Sequence, residues 1–163
     1  MTADAFQSLV GRLDTPMFIV TAVGRDGERA GCLIGFATQC SIKPPRFLAC
    51  ISKENRTFDV ASKADTLVVH CLGRAQIALA ELFGGQTGDE VDKFELCDWA
   101  PGPDGIPVLS GVPGWFAGRV LGRHDLGDHL GLWLEPFQAE DHGGPLDLGY
   151  QDVKGVHPGH PVP

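Results

Sequence analysis

Apolar positions along the chain fall into two periodicities. Phe6, Leu9, Val10 and Leu13 recur at three- and four-residue spacing, which predicts a short amphipathic helix over 3–13. Short apolar runs then take over: PMFIVTAV (16–23), RAGCLIGFATQ (29–39), RFLACIS (46–52) and TLVVHCL (66–72), each read as one strand. The first ends at Gly24-Arg25-Asp26-Gly27, a turn signal. Two late runs, WFAGRVLGR (115–123) and HLGLWLEPF (129–137), read as strands joined by a tight turn near Gly127. Residues 56–64 and 74–83 read as helices. Thr87-Gly88-Asp89-Glu90 has the form of a capping box and predicts a third short helix to about Phe94. The Pro- and Gly-rich text from Asp98 to Gly114 predicts an irregular loop, and GVHPGHPVP (155–163) an extended or disordered end. The expected organisation is one domain over 1–150 and a tail over 151–163.

Six strands with helices inserted irregularly do not make a doubly wound sheet. They suit an all-β, antiparallel barrel closed on itself, with short helices plugging its openings. Gly35, Gly118 and Gly122 fall inside strand patterns, where glycine marks bends, bulges or close approach. The 163 residues, 43% hydrophobic and 21% charged, are ordinary for one soluble globular domain with a real core. A net charge of −8 argues against nucleic acid or an anionic membrane as the main partner, because phosphates are bound through clustered Lys and Arg. The N-terminal MTADAFQSLVGRLDTP lacks a signal-peptide pattern, and no run approaches the roughly 18 apolar residues of a membrane span, so a cytoplasmic location is expected.

Five cysteines without a CxxC pair, three of them (Cys32, Cys50 and Cys71) inside apolar runs, read as small hydrophobes rather than a disulfide framework or zinc site. His157 and His160 lie in a Pro-rich tail that offers a metal no rigidity. Trp99, Trp115 and Trp133 read as core or interface aromatics, and Asp89, Glu90 and Asp92 as a solvated helix face.

Familiar catalytic signatures are missing: no GxGxxG, no P-loop, no GxSxG elbow and no HExxH. The informative block is GCLIGFATQCSIKPPRFLACISKENRTF (31–58). Pro44 and Pro45 remove two donors and fix two φ angles at a corner between apolar strands. Thr38, Gln39, Cys40 and Ser41 precede that corner, and their N–H groups need partners. A flat heterocycle with donors and acceptors along one edge would supply them. Beyond the next strand, Ser52, Lys53, Asn55, Arg56 and Thr57 cluster, with Thr57 placed to cap a helix over 58–63 and an anion seat beside it. A ring-edge reader and a phosphate reader one strand apart describe a mononucleotide pocket; two ordinary polar loops would read the same way.

In order along the chain, CSIKPP (40–45), ENRT (54–57), LAELFGG (79–85), DGIPVL (104–109) and LGDHLGLWLE (126–135) resemble the flavin reductase-like, FMN-binding split-barrel family, over about residues 5–138. The resemblance implies an antiparallel, six-stranded Greek-key split β-barrel that forms a homodimer. It implies FMN, with FAD as an alternative, and hydride transfer from NADH or NADPH to the flavin, in some members to feed a partner monooxygenase. It places Thr38, Gln39, Cys40 and Ser41 along the isoalloxazine edge. Ser52, Lys53, Asn55, Arg56 and Thr57 would hold the ribityl chain and phosphate, and Phe83 would lie near the flavin end of its helix. His129, in Gly127-Asp128-His129, would approach the ring face where a nicotinamide stacks, acting electrostatically, as Lys43 would, on a reduced ring.

Departures from that pattern are Cys32-Leu33-Ile34-Gly35, where small polar residues are common, and Gln39, where Ser is common. Alternatives from other classes are a flavin-binding module without efficient turnover and a barrel holding haem or a deazaflavin.

Overall fold

The computed structural model describes residues 2–85 and 92–156. Helix α1 (Ala3–Val10) is capped by the Thr2 hydroxyl, which accepts from the Ala5 N–H at 3.2 Å, and it stops at Gly11, short of the expected end. Strands β1 (Phe18–Val23), β2 (Arg29–Ile34), β3 (Ala37–Ser41), β4 (Arg46–Ser52), β5 (Thr66–Cys71), β8 (Gly114–Asp125) and β9 (His129–Asp141) form one antiparallel sheet in the order β2-β1-β5-β8-β9-β4-β3. The helices are α2 (Thr57–Ala61), α3 (Ile77–Gly85) and α4 (Tyr150–Val153).

The two outer strands of this sheet, β2 and β3, are successive in the chain. Gly35 and Phe36 link them, and the Phe36 carbonyl accepts from the Cys50 N–H of β4 at 2.9 Å. The sheet therefore curls into a barrel with a split between β2 and β4, and the expected fold class holds. The strand count differs. The run 29–39, read as one strand, breaks at Gly35-Phe36 and changes partner from β1 to β4. The expected loop 98–114 contains a small ladder of β6 (Trp99–Pro101) with β7 (Pro107–Leu109). Lys93–Glu95 form one 3-10 turn, whereas residues 86–91 of the expected third helix, and 157–163 with His157 and His160, lie outside the described residues.

Both faces of β1 and β5 are covered, which explains their continuous apolar text. Val20, Leu67 and Val69 point into an inner cluster with Cys32, Phe47 and Leu132; Ile19 and Val68 point the other way, into a second cluster with Phe83, Leu109 and Trp115. Helix α2 sets Val60 and Ala61 into the inner cluster and so closes one end of the barrel. Helix α3 lies close on β2 because Gly31 has no side chain. A Cβ there would stand 2.8 Å from the Phe83 ring.

The long β8–β9 hairpin turns at Gly127, whose φ of 120° suits glycine. The hairpin shifts register at Ala117/Gly118 and at Val120/Gly122, bearing out the bulges expected of its glycines; the residues left over, Leu121 and Phe137, are exposed. Trp115 is buried, Trp99 half-buried and Trp133 39% exposed on the outer face. Among the described residues no helix is long and apolar enough to cross a membrane.

Candidate functional site

The site is built around β4, flanked by β3 on one side and β9 on the other. The double proline forms the β3–β4 hairpin, with Lys43–Pro44 in the cis form. The ladder does continue through Thr38–Ser41, contrary to the expectation that the corner would interrupt it: Thr38 faces Leu48, Gln39 faces Phe47 and Ser41 faces Arg46, with Cys40 bulged out between. What leaves donors and acceptors over is position. β3 is the last strand of the sheet, so only one of its edges is laddered. Thr38, Gln39 and Cys40 are exposed and Ser41 half-buried. Gln39 donates its carboxamide N–H to the Ser41 carbonyl at 3.1 Å and Thr38 its hydroxyl to the Gln39 carbonyl at 3.1 Å, so both side chains fold along their own strand and leave the outer edge open.

At the other end of β4, Ser52 stands directly opposite His129 in the β4–β9 ladder. The Lys53 N–H donates to the Asp128 carbonyl at 3.0 Å, and its ammonium donates to Asp125 Oδ1 at 2.7 Å. The hydrogen bonds from Lys53 and the Gly127 N–H hold the Asp125 carboxyl below the usual carboxylate range. His129 Nδ1 lies 2.7 Å from Asp128 Oδ1. Donation from Nδ1–H to that carboxylate fixes the tautomer and leaves Nε2 for a ligand. The Phe36 ring sits 4.9 Å from the imidazole, centroid to centroid. Two segments at least 72 residues apart in sequence thus meet at one end of the barrel.

The loop between β4 and α2 follows. Ser52 Oγ accepts from the Glu54 N–H at 3.3 Å. Thr57 does not cap the helix as expected: it is the first helical residue, and the Asn55 carboxamide oxygen accepts its N–H at 2.9 Å. The Thr57 side chain is buried, its hydroxyl bonded to the Cys32 thiol. Arg56 pairs with Glu28 and with Asp59, the latter at 3.5 Å. It borders a cleft of about 330 Å³ that also takes in Arg29, Thr57, Asp92 and Lys93.

Lys93 is 5% exposed and donates to the Gly31 and Phe83 carbonyls at 3.2 and 3.1 Å. Burial lowers its pKa, and burial pushes the neighbouring Cys32 thiol up to about 11, so Cys32 is an unreactive thiol. Phe83 is 1% exposed, packed edge-on against Phe94 at 5.5 Å and against Gly31; its ring is core, not a surface aimed at a ligand. Cys32 and Ile34 likewise point into the inner cluster. Among the described residues no group of three or more His, Cys, Asp or Glu could hold a metal.

Sequence reasoning missed four participants. Glu28 and Asp125 are the partners of the two basic loop residues, and nothing in the local text pairs them across 28 and 72 positions. Lys93 is buried only by tertiary packing. Phe36 carried a signal, an aromatic immediately before the exposed strand, but it was absorbed into the strand pattern.

The chain is thus an antiparallel barrel split between β2 and β4, with an open strand edge, a polar loop carrying two cations and a histidine opposite that loop. The flavin reductase like domain model matches residues 10–154. The NADH-dependent FMN reductase RutF of Methylorubrum extorquens is 32% identical over 127 residues, covering 78% of this chain and 61% of that protein. RutF of Klebsiella pneumoniae is 29% identical over 153 residues, covering 94% of this chain and 92% of that one. Among solved structures, the NADH:FAD oxidoreductase SgcE6 of Streptomyces globisporus superposes with a TM-score of 0.76 at 25% identity, covering 83% of this chain and 80% of that one. The chain belongs to the flavin reductase-like domain family. It spans about half to three fifths of the length of several curated relatives it matches.

Proposed function

We propose that the protein is a flavin reductase that takes hydride from NADH or NADPH and passes it, with a proton, to FMN. One observation carries the reading: the 52–57 loop and the Asp128-His129 turn, placed far apart in sequence, are joined by the Ser52–His129 pair and the Lys53–Asp128 hydrogen bond, along β4 from the open edge of β3. FMN fits that arrangement. The outer edge of β3, at Thr38, Gln39, Cys40 and Ser41, would read the isoalloxazine rim. Lys53, Arg56 and the Ser52 and Asn55 side chains would hold the ribityl and phosphate groups after exchanging acidic partners for phosphate. Phe83 and Thr57, both buried, would support the site from beneath. The flavin, when bound, supplies the hydride-accepting chemistry; this chain orients and charges its surroundings.

His129 would border the face where the two rings meet, its Nε2 turned to the ligand. NADH oxidation with and without added FMN tests this reading. Turnover that requires FMN and falls at least tenfold in His129→Ala, with FMN affinity within about threefold, is the expected result. Equal turnover in the variant removes His129 from the reaction, and FMN binding without any NADH or NADPH oxidation identifies a binding module instead.

The exposed Trp133, Phe137 and Leu121 on the outer face of β8 and β9 support a homodimer closed through that face. Supply of reduced flavin to a partner monooxygenase is the reading's further consequence. Component B of a nitrilotriacetate monooxygenase from Mycobacterium thermoresistibile, 25% identical to this chain, points the same way. The domain over 1–150 and the tail over 151–163 remain part of this reading, with α4 (Tyr150–Val153) at their boundary.

A further inference from the structure

Helix α3 lacks the pattern of a surface helix. Its text, IALAELFGG, is apolar nearly all round, and a helix of that kind is normally buried on every side. Here only Ala80 and Phe83 are buried. Leu79 and Leu82 pack in part against the second core and also line an open groove of about 520 Å³. Leu96, 62% exposed, and the half-buried Cys97 line it from the following segment. Backbone hydrogen bonds hold that segment in place, from the Leu96 N–H to the Lys93 carbonyl at 3.1 Å and from the Ser110 N–H to the Asp98 carbonyl at 3.0 Å. The groove is therefore preformed. Its surroundings are acidic: Asp98 lines it, Glu95 precedes Leu96, and Glu81 is exposed on α3 one turn from Ala78, a further lining residue. Among the described residues none of the three carboxylates makes an ion pair. Cys97 registers their field, since burial and then the charges of Asp98 and Asp92 raise its thiol pKa.

We propose that this groove docks a basic amphipathic helix of a partner protein, with the partner's apolar stripe on Leu79, Leu82 and Leu96 and its Lys and Arg side chains against Glu81, Glu95 and Asp98. An apolar groove with an acidic rim is the complement of such a helix. A second copy of this chain is disfavoured as occupant, because it would bring the same three carboxylates and a net charge of −8. An anionic membrane is disfavoured for the same reason. Resting on the reductase reading, the partner is the protein that consumes the reduced flavin. The groove is placed for that role: its 96–98 wall runs on directly from Lys93 and Phe94, which line the cleft shared with Arg56. A docked partner would thus touch the segment that borders the proposed phosphate seat.

The probe is a synthetic peptide of about 18 residues with Leu and Lys at helical spacing, titrated calorimetrically into FMN-loaded protein, beside the same peptide carrying Glu in place of Lys. The Lys peptide is expected to bind, about tenfold more weakly in Leu96→Ser and about three- to tenfold more weakly in the double variant Glu95→Gln/Asp98→Asn. Added salt should weaken it in the wild type and less so in the double variant. Bound peptide should shield Cys97 from iodoacetamide while Cys40 on β3 stays reactive, and NADH oxidation with added FMN should be unchanged in both variants. No binding of the Lys peptide, equal binding of the Glu peptide, or unchanged affinity in both variants overturns the proposal. Shielding of Cys97 by raised protein concentration alone also overturns it, by assigning the groove to a second copy. So does peptide binding that appears only after removal of residues 157–163, which would assign the groove to the chain's own end. Wild-type protein that binds the peptide as expected yet takes up no FMN keeps the docking surface and defeats the reductase reading alone.

Discussion

The guanidinium of Arg56 sits between two carboxylates, and a flavin phosphate in the 52–57 loop has to compete with both. The pair with Glu28 is about one-third exposed on each side, so it contributes little to stability and exchanges readily. A phosphate offers more charge and a geometry matched to the guanidinium fork. Arg56→Ala is therefore expected to weaken FMN by about 1–3 kcal/mol, roughly 5- to 150-fold in Kd. Glu28→Gln should tighten FMN about two- to fivefold by removing the competitor. Flavin fluorescence titration at low ionic strength reads both, and two unchanged affinities would take Arg56 out of the site. The basic residues of the loop were legible from their clustering in SKENRTF. Their acidic partners were not, because residues 28 and 125 reach the loop only when β2 and the β8–β9 hairpin are in place.

At the scale of elements, His70 shows what strand packing does to a titrating group. It lies wholly buried on β5, its Nδ1–H donating to the Ile19 carbonyl at 2.9 Å and its Nε2 accepting from the Leu109 N–H at 3.0 Å. One neutral ring thus ties β5 to β1 and β7. Burial lowers its pKa from 6.5 to about 4. Between those values the unfolded chain binds the proton and the folded chain does not, so stability is full above about pH 6.5 and falls as pH drops toward 4. The loss from this group alone reaches about 3 kcal/mol. Urea unfolding at neutral pH and near pH 4.5 should show that decline. His70→Gln, less stable at neutral pH, should show a shallower one, and an equal slope in both proteins would assign the acid sensitivity elsewhere. The same packing hid an element boundary. RAGCLIGFATQ has an unbroken strand pattern, and only closure of the barrel forces Gly35-Phe36 to carry the chain from the β1 ladder to the β4 ladder. Conversely, the Pro/Gly-rich text of 98–114 lacks strand pattern because its two three-residue strands pair only with each other.

For the whole molecule, alternation of short apolar runs with turn signals was enough to give the antiparallel barrel, since strands such as β1 and β5 bury both faces and announce it in text rich in β-branched residues. The second core behind the barrel was not legible. It is assembled from β1, β5, β8, α3, the 93–112 segment and α4, and these are brought together only by the tertiary fold. The candidate site was legible as two loops and a histidine. Their meeting was not, because it depends on the pairing of β4 with β9. The most direct measurement of the whole account is a visible spectrum of the purified protein with added FMN, followed by anaerobic NADH. Flavin bands that shift on binding and then bleach on addition of NADH are the predicted result; bands that neither shift nor bleach, with NADH or NADPH, would contradict it.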